Sequence, residues 1–217
     1  ECFQPKQLVN HYGSSEIYTF TVDQNAEKKP GSAGKSGINQ RIRVVKLGSK
    51  NPEQINKIKV EGEIIADLKS DEAFSGYWKR PDADKKSIIK NWYFTNDMGY
   101  FDEEGDLFVT GRVDDMIITG GENVSPIEIE NVLSLHNNIL EVVIVGIPDE
   151  KWGQKICAFI VKSSDITTAN LDKFCNKSGL TNFKRPKTYC FIKEIPKSPT
   201  GKILRRKLLA GEYSIDK

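Results

Sequence analysis

The sequence has few residues of the kinds that build metal centres or disulfide frameworks. It contains two histidines, His11 and His136, and four cysteines, none of them in CxxC spacing. The histidines lie far apart and show no metal-ligand pattern. Cysteines within apolar segments are most often reduced core residues. The sequence therefore predicts reduced thiols and a cytoplasmic protein.

Long apolar runs are also missing. No stretch of 18 apolar residues occurs, and the N-terminal "ECFQPKQLVN" lacks the apolar region of a signal peptide. Neither secretion nor a membrane span is expected. A formal net charge of +2 over 217 residues gives no general reason to expect nucleic acid as a partner. Basic residues are concentrated after position 184, where they form either a solvated helix face or a contact surface for phosphates.

One stretch suggests a phosphate loop but lacks its spacing. Residues 30–37 read "PGSAGKSG", and a Walker-type loop ending in this Gly-Lys-Ser needs a glycine at position 29. That position is Lys29, and no strongly apolar strand precedes it. We expect a flexible surface turn here instead.

The chain changes character near its middle. In residues 38–68 and again in residues 87–119, short β-rich runs alternate with turns, which predicts antiparallel strands with "FDEEGD" as a hairpin turn. Further on, Ser125 as N-cap, Pro126 at the first helical position and Glu128 closing a capping box predict a helix start. The remaining predicted elements are strands at 141–147, 155–162 and 188–195, a helix near 168–177 and a short basic helix at 200–211.

These patterns predict an α+β fold in two parts. A β-rich first part is followed by a small α+β unit of about one hundred residues, near the lower end of domain size. The change of pattern lies near Val113–Asp115. We therefore expect one domain over residues 1–113 and a second over residues 114–217.

An ordered set of motifs resembles the adenylate-forming superfamily, which comprises acyl- and aryl-CoA ligases, luciferases and peptide-synthetase adenylation domains. The motifs are "HYGSSEI" (11–17), "WYFTNDMGY" (92–100), "GRVDDMIITGGENVSPIEIE" (111–130), "KWGQ" (151–154), "FKRPK" (183–187) and "PKSPTGKILRR" (196–206). The chain is most similar to benzoate-type ligases, the group that includes 4-chlorobenzoate–CoA ligases. Members of the superfamily are more than twice as long. The resemblance implies a C-terminal portion: a barrel-like remnant of the large AMP-binding domain, then a mobile C-terminal lid, with the phosphate loop upstream.

The resemblance implies a site for ATP or AMP and Mg²⁺ in the first part. In "YGSSE", Tyr12 is expected against adenine, Gly13 in the turn, Ser14 and Ser15 at the α-phosphate, and Glu16 at Mg²⁺. Hydroxyl groups can donate to phosphate oxygens, and a carboxylate is a hard ligand for Mg²⁺. Taken alone, the motif would indicate only a polar turn.

Three further positions match motifs of the superfamily. Asp97 and Arg112 correspond to the pair that holds the ribose hydroxyls, although in isolation they suggest a surface ion pair. Asp114 corresponds to the hinge between the adenylation and thioester-forming poses. Lys202 corresponds to the catalytic lysine that bridges the attacking carboxylate and the α-phosphate. An ammonium group suits this role because its charge is compact.

The resemblance also assigns contacts for coenzyme A. Glycines leave room for the thin pantetheine chain, and an aromatic ring and an arginine can meet adenine and phosphate. Trp152 and Phe183 could equally be core aromatics. The residues assigned to CoA are Gly120, Gly121, Glu122, Trp152, Phe183 and Arg185.

The implied activity is acyl-AMP formation from a carboxylate and ATP, followed by transfer to CoA with release of AMP and pyrophosphate. We expect the 217 residues alone to be inactive in adenylation. Two alternatives remain open: an enzyme that loads a carrier protein or ends in oxidation as luciferases do, and a non-catalytic binding module. The identity of the small-molecule carboxylate and the oligomeric state do not follow from the sequence.

Overall fold

A computed structural model describes residues 6–216. Residues 1–5, which include Cys2 and the start of the N-terminal stretch, and residue 217 lie outside the described residues. The chain divides into two compact units, Glu1–Asp114 and Asp115–Lys217. No helix of the described part is long and apolar enough to cross a membrane.

The first unit is built around one antiparallel sheet. Its order is β1-β2-β3-β8-β7-β5-β4, with β6 paired to β7. The strands that end at Phe101 and begin at Leu107 form a hairpin, whose turn lies at residues 102–106, as predicted. The elements are β1 (Asn10–Tyr12), β2 (Thr21–Asp23), β3 (Ser32–Ser36), β4 (Ile42–Val45), β5 (Gly62–Asp67), α1 (Pro81–Ser87), β6 (Ile88–Ile89), β7 (Trp92–Phe101) and β8 (Leu107–Arg112).

The sheet curls, so that its two ends share a core. Tyr12 from β1 and Ile42 from β4 both pack against the buried cluster that includes Ile64 and Leu107. Burial of this shared apolar face supplies the main driving force for the curl. The barrel-like character expected for this part of the α+β fold is thus confirmed.

The glycine-rich stretch is a strand, and the expectation of a flexible surface turn is wrong. Ser32, Ala33 and Gly34 are buried in β3. A Cβ at Gly34 would lie 2.2 Å from the carbonyl oxygen of Val22, so the glycine allows the two backbones to approach closely. The Lys29 ammonium is 2.6–2.8 Å from three carboxylates of the hairpin turn, those of Asp102, Glu104 and Asp106.

The second unit is a five-stranded sheet covered on both faces. Its order is β10-β9-β12-β11, and β13 pairs with β12 in parallel through a crossover that contains α3. The elements are β9 (Ile117–Thr119), β10 (Glu122–Val124), α2 (Pro126–Leu133), β11 (Ile139–Asp149), β12 (Gly153–Lys162), α3 (Thr168–Lys177), β13 (Thr188–Phe191) and α4 (Arg205–Leu209).

Alternation along β11 and β12 divides the core of this unit between the two faces. Ile144 faces the cluster with α2 and α3, whereas Val143 and Val145 face the cluster with Leu208 of α4. Cys157 and Cys175 are buried in these clusters, and all cysteines among the described residues are free. The prediction of reduced core cysteines is confirmed for these two.

Two local predictions in the second unit are wrong. Helix α2 does begin after Ser125 with Pro126 in its first turn, but the capping box is not formed. The Glu128 carboxylate instead binds the Lys184 ammonium at 2.7 Å. The predicted basic helix over residues 200–211 is limited to α4, because residues 198–204 form a turn closed by backbone hydrogen bonds.

Candidate functional site

Tyr12 at the end of β1 and Arg112 at the end of β8 meet Asp97, which lies in the middle of β7. The Tyr12 hydroxyl donates to Oδ2 of Asp97 at 2.7 Å, and Nη1 of Arg112 lies 3.4 Å from Oδ1 of the same carboxylate. The β7–β8 register places Asp97 directly opposite Arg112. Burial, and then the Asp97 charge, raises the pKa of Tyr12. The hydroxyl therefore stays protonated as a donor at neutral pH.

The pairing of β7 with β5 is interrupted beside Asp97, whereas its pairing with β8 includes Asp97. Asn96 has a φ of +63°, a left-handed conformation that asparagine tolerates, and the pairing of β7 is irregular in this region. The Thr95 hydroxyl donates to the Ile64 carbonyl at 2.8 Å and accepts from the Asp97 N–H at 3.0 Å. Burial raises the pKa of Glu63, and the nearby Asn96 N–H opposes this shift. The Thr95 bonds fix the backbone of β7 at Asp97.

The "GSSE" segment forms a tight turn after β1. Ser14 Oγ accepts the N–H groups of Glu16 and Ile17 at 3.2 and 3.4 Å, which is a local side-chain turn. A Cβ at Gly13 would lie 1.7 Å from the Tyr18 carbonyl oxygen, so this position requires glycine. Ser15 is exposed at the tip of the turn. The turn thus presents hydroxyls and a carboxylate on one short segment.

Glu16 is held by a tyrosine that the sequence did not single out. The Tyr77 hydroxyl donates to Oε1 of Glu16 at 2.7 Å and lies 3.5 Å from the Tyr93 hydroxyl. Desolvation acts to raise the pKa of Glu16, but hydrogen bonds from Tyr77 and Ser14 outweigh it and leave the pKa below its ordinary value. A half-buried, ionised carboxylate fits the donor chemistry that Mg²⁺ requires.

Aromatic rings join the two polar clusters. Phe20 packs between Tyr12, at 5.1 Å, and Tyr93, at 6.4 Å between ring centroids. The Tyr12–Asp97–Arg112 cluster and the Glu16–Tyr77 pair therefore share one apolar support. The first unit thus holds Tyr12, Asp97 and Arg112 in one cluster and Glu16 in a second, and their service to one ligand stays a prediction.

Lys202 lies at the tip of a turn in the second unit. The Ser198 N–H donates to the Lys202 carbonyl at 2.8 Å, and the Lys202 N–H donates to Ser198 Oγ at 3.1 Å. Gly201 takes a φ of +82° in the same turn. The Lys202 side chain is exposed and makes no ion pair with any residue that the structure describes. The turn thus presents an unneutralised ammonium to solvent.

The Gly120–Glu122 loop carries one of the aromatic candidates. Gly120 and Gly121 have φ values of +61° and +85°, and a Cβ at Gly120 would lie 3.0 Å from the Trp152 ring. The Gly120 N–H also donates to the Trp152 carbonyl at 2.9 Å. Trp152 is 48% exposed, so it packs on the loop and is not a core aromatic. Glu122 is exposed at the start of β10.

Phe183 and Arg185 flank a second surface feature. Phe183 is 41% exposed, which excludes the core alternative. Arg185 donates through Nη2 to Asn182 at 2.6 Å, while its buried Nε has no partner among the described residues. Arg185 and Lys187 line a groove of about 640 Å³ together with Thr168 at the start of α3. Asp172 also lines the groove, so the groove offers an anion two cationic side chains and hydroxyls, together with one carboxylate.

Asp114 lies in a short 3₁₀ turn, Val113–Asp115, between β8 and β9. This turn coincides with the division between the two compact units. The hinge role of Asp114 stays a prediction, as do the ligand contacts of the other assigned residues. Sequence reasoning also missed Glu63 and Arg205. No short-range signal marks them, because their partners are distant in sequence.

Known proteins resemble the chain along most of its length. Residues 128–202 match the family of AMP-binding enzyme C-terminal domains. The chain is 36% identical over 201 residues to a 4-chlorobenzoate–CoA ligase of Arthrobacter sp, covering 93% of the chain and 38% of the relative. It is 42% identical over 195 residues to a 2-succinylbenzoate–CoA ligase of Bacillus mycoides, covering 90% of the chain and 39% of the relative.

A solved structure of similar fold is the o-succinylbenzoate CoA synthetase of Bacillus subtilis in complex with its acyl-adenylate intermediate. It superposes with a TM-score of 0.85 at 29% identity, over 94% of the chain and 41% of the synthetase. The chain thus spans about two fifths of the length of these relatives. The resemblance read from the ordered motifs is confirmed.

Proposed function

Because the chain is homologous to CoA ligases and carries the AMP-binding enzyme C-terminal domain, we propose that it forms the C-terminal portion of an ATP-dependent acyl- or aryl-CoA ligase. In this proposal residues 1–113 complete the AMP-binding domain, and residues 114–217 form a lid that rotates about Asp114. The ligase converts a carboxylate and ATP into an acyl-AMP and pyrophosphate. The thiol of CoA then attacks the acyl carbonyl and releases AMP.

The linked set of Tyr12, Asp97 and Arg112 carries the proposal. The Asp97 carboxylate can accept both ribose hydroxyls, and the Arg112 guanidinium adds fixed donors beside it. The Tyr12 ring, held by its own hydroxyl, offers a flat face for adenine. A surface ion pair would not need this third partner. The arrangement is therefore better suited to a nucleoside than to stability alone.

The neighbouring turn suits the phosphates of the same nucleotide. Ser14 and Ser15 can donate to α-phosphate oxygens, and Glu16 can hold Mg²⁺. Mg²⁺ bound there would neutralise phosphate charge. Tyr77 holds the Glu16 carboxylate in one orientation for this purpose.

The second unit is assigned one set of residues for the adenylation pose and another for the thioester-forming pose. Lys202 on its turn neutralises the charge that develops between the carboxylate and the α-phosphate during adenylation. Gly120, Gly121, Glu122 and Trp152 are assigned to the pantetheine channel. The groove beside Arg185, with Phe183 near it, is assigned to the nucleotide of CoA, whose phosphates its positive charge would attract.

We infer an aromatic carboxylate as the substrate class. The relatives named above act on 4-chlorobenzoate and 2-succinylbenzoate, and both substrates carry a benzoate group. We infer CoA as the acceptor because both relatives are named as CoA ligases. Offering CoA and a phosphopantetheine-loaded carrier protein to the same acyl-AMP distinguishes these acceptors, and we expect transfer to CoA.

The decisive test separates the two half-reactions in a longer chain that joins these residues to an N-terminal portion with a phosphate-binding loop. We expect Lys202→Ala to lower the rate of pyrophosphate release by about a hundredfold or more, because a transition-state charge loses its partner. Thioester formation from supplied acyl-AMP should change little. Equal loss of both half-reactions would contradict the assignment of Lys202.

Lys177→Ala is the matched control, since Lys177 is also exposed but lies at the end of α3. It should leave both half-reactions unchanged. The 217-residue chain without the N-terminal portion should release no pyrophosphate. Turnover by that chain would contradict the proposal that it is only part of the adenylation site.

A further inference from the structure

The Lys202 turn is followed by an arginine with several partners. Arg205 is the first residue of α4, and its side chain is 19% exposed. Its Nη2 donates to Oε1 of Glu130 at 2.7 Å, its Nη1 to Oδ2 of Asp115 at 3.2 Å, and its Nε to the Ile144 carbonyl at 3.4 Å. A planar guanidinium can serve these three acceptors at once, whereas an ammonium cannot match the geometry.

The same ion pair completes the edge of the sheet. β11 is the outer strand of the five-stranded sheet, so one side of it has no neighbouring strand among the described residues. On that side, the Ile144 N–H donates to Oε1 of Glu130 at 2.8 Å, and the Ile144 carbonyl accepts from Arg205. A buried backbone N–H or carbonyl without a partner costs free energy. Glu130 and Arg205 therefore supply the hydrogen bonds that a neighbouring strand would otherwise make to Ile144.

Both ends of the Lys202 turn are anchored to β11. At the far end, the Lys197 ammonium binds Oε1 of Glu141 at 2.7 Å. Across the base of the turn, the Leu204 N–H donates to the Pro196 carbonyl at 2.9 Å. Arg205 anchors the near end. The turn is therefore fixed to β11, while the Lys202 side chain itself is exposed.

Asp115 gives the network a second connection. It is the residue after Asp114 and the first residue of the second compact unit. Its bond to Arg205 ties the start of this unit to the base of the lysine turn. A rotation of the backbone at Asp114 would then carry the turn with it as one body, because the start of the unit and the turn share a rigid link.

We propose that Arg205 is a positioning residue for Lys202, acting through Glu130, Asp115 and β11. The proposal rests on the function proposed above for Lys202. A charge that must meet a reacting phosphorus loses most of its effect when displaced by about 1 Å. Arg205 sets the place of that charge without touching the substrate.

The first experiment uses the 217-residue chain and needs no activity. Amide hydrogen exchange is measured for Arg205→Lys, Arg205→Met and the control Arg206→Met, since Arg206 is exposed on the same helix. We expect faster exchange in two separated segments, the turn at residues 198–204 and residues 115–119, for both Arg205 variants. The control should match the unchanged chain.

Arg205→Lys retains a positive charge. If Arg205→Met accelerates exchange throughout the second unit, the proposal is judged on Arg205→Lys alone. Exchange in the core strand at residues 156–160 reports such loosening. Acceleration confined to one of the two segments, or none in Arg205→Lys, would overturn the proposed link.

The second experiment is a double-mutant cycle in the longer ligase chain described above. Arg205→Lys should lower the adenylation rate constant kcat about tenfold and leave the KM for ATP unchanged. In a Lys202→Ala background the same change should have no further effect, because Arg205 acts through Lys202. A role in stability alone would give the same loss in both backgrounds and would overturn the proposal.

The two proposals can fail separately. If Lys202→Ala left adenylation intact, the proposed function of Lys202 would fail, while the exchange experiment would still report whether Arg205 links the two segments. If Lys202→Ala abolished adenylation but Arg205→Lys had equal effects in both backgrounds, only the positioning role would fail.

Discussion

The two units hold their candidate residues in opposite ways. In the first unit, Tyr12, Asp97 and Arg112 bind one another, and Glu16 is bound by Tyr77. In the second unit, Lys202 is exposed on a turn and only the turn itself is anchored. In the function proposed above, the first unit would contribute a preorganised surface, and the second a charge whose partner is supplied by a ligand.

Replacement of Asp97 is expected to have the largest effect on the free energy of unfolding, and it tests the contrast between the two units most strongly. Asp97→Ala removes the acceptor of the Tyr12 hydroxyl and the partner of Arg112, so it should lower the free energy of unfolding by about 1–3 kcal/mol. The matched change in the other unit, Lys202→Ala, should alter it by less than about 0.5 kcal/mol. Urea denaturation followed by the emission of Trp92, which is 7% exposed, measures the first unit.

Amide hydrogen exchange of β12 in the same urea series measures the second unit. The exposed Trp78 is replaced by phenylalanine in every variant, so that Trp92 dominates the signal of the first unit. Equal destabilisation by Asp97→Ala and Lys202→Ala would remove the distinction between a preorganised site and a presented charge.

A smaller effect is expected from Tyr77. Tyr77→Phe deletes the donor to Glu16 and keeps the ring, so it should lower the free energy of unfolding by about 1 kcal/mol. Tyr100→Phe is the control, because Tyr100 stacks on Phe108 at 5.2 Å through its ring alone. Urea midpoints of the two variants are compared. A loss no larger than that of the control would mean that Glu16 does not depend on Tyr77.

The smallest effect concerns pH and Glu63. Burial raises the pKa of Glu63, while Lys50 and the Asn96 N–H oppose the shift and Asp114 adds to it. Because the folded state holds this proton more tightly than the unfolded state, the contribution of Glu63 is fully present below the unfolded pKa. It is lost as pH rises through the raised folded pKa.

Glu63→Gln stays neutral and should remove this part of the pH dependence. Its stability relative to the unchanged chain should therefore rise as the pH increases above the unfolded pKa, which is about 4. Thermal unfolding at several pH values measures the difference. The exposed Glu27→Gln should show no such trend, and a flat difference for Glu63→Gln as well would contradict the assigned burial effect.

Local signals in the sequence predicted much of the fold. Pro126 marked the start of α2, and α3 lies where residues 168–177 predicted it. The hairpin turn at residues 102–106 was predicted as well, although its register alone would place Asp97 opposite Gly111, and a β-bulge shifts the pairing by one residue to Arg112. These features depend on neighbours within a few residues, which is the range over which sequence patterns are informative.

The errors share one cause, which is contact between residues distant in sequence. β3 was mistaken for a loop because Gly34 is required by the Val22 backbone, a neighbour only in the folded chain. Glu128 failed to cap α2 because Lys184, far along the chain, binds it instead. Tyr77 and Arg205 were missed for the same reason. Tertiary partners override local preference at these positions.

The pairing of β3 with β8 has a consequence for biosynthesis. Ser32 of β3 lies opposite Phe108 of β8. The middle of the first sheet therefore cannot form until β8 has been synthesised, long after β3. Until then the nascent chain exposes the edges of β3 and β7, which are available for wrong pairing between chains. Polypeptides cut short before Arg112 would therefore be a burden on chaperones, and slow closure of this sheet would limit the yield of folded protein.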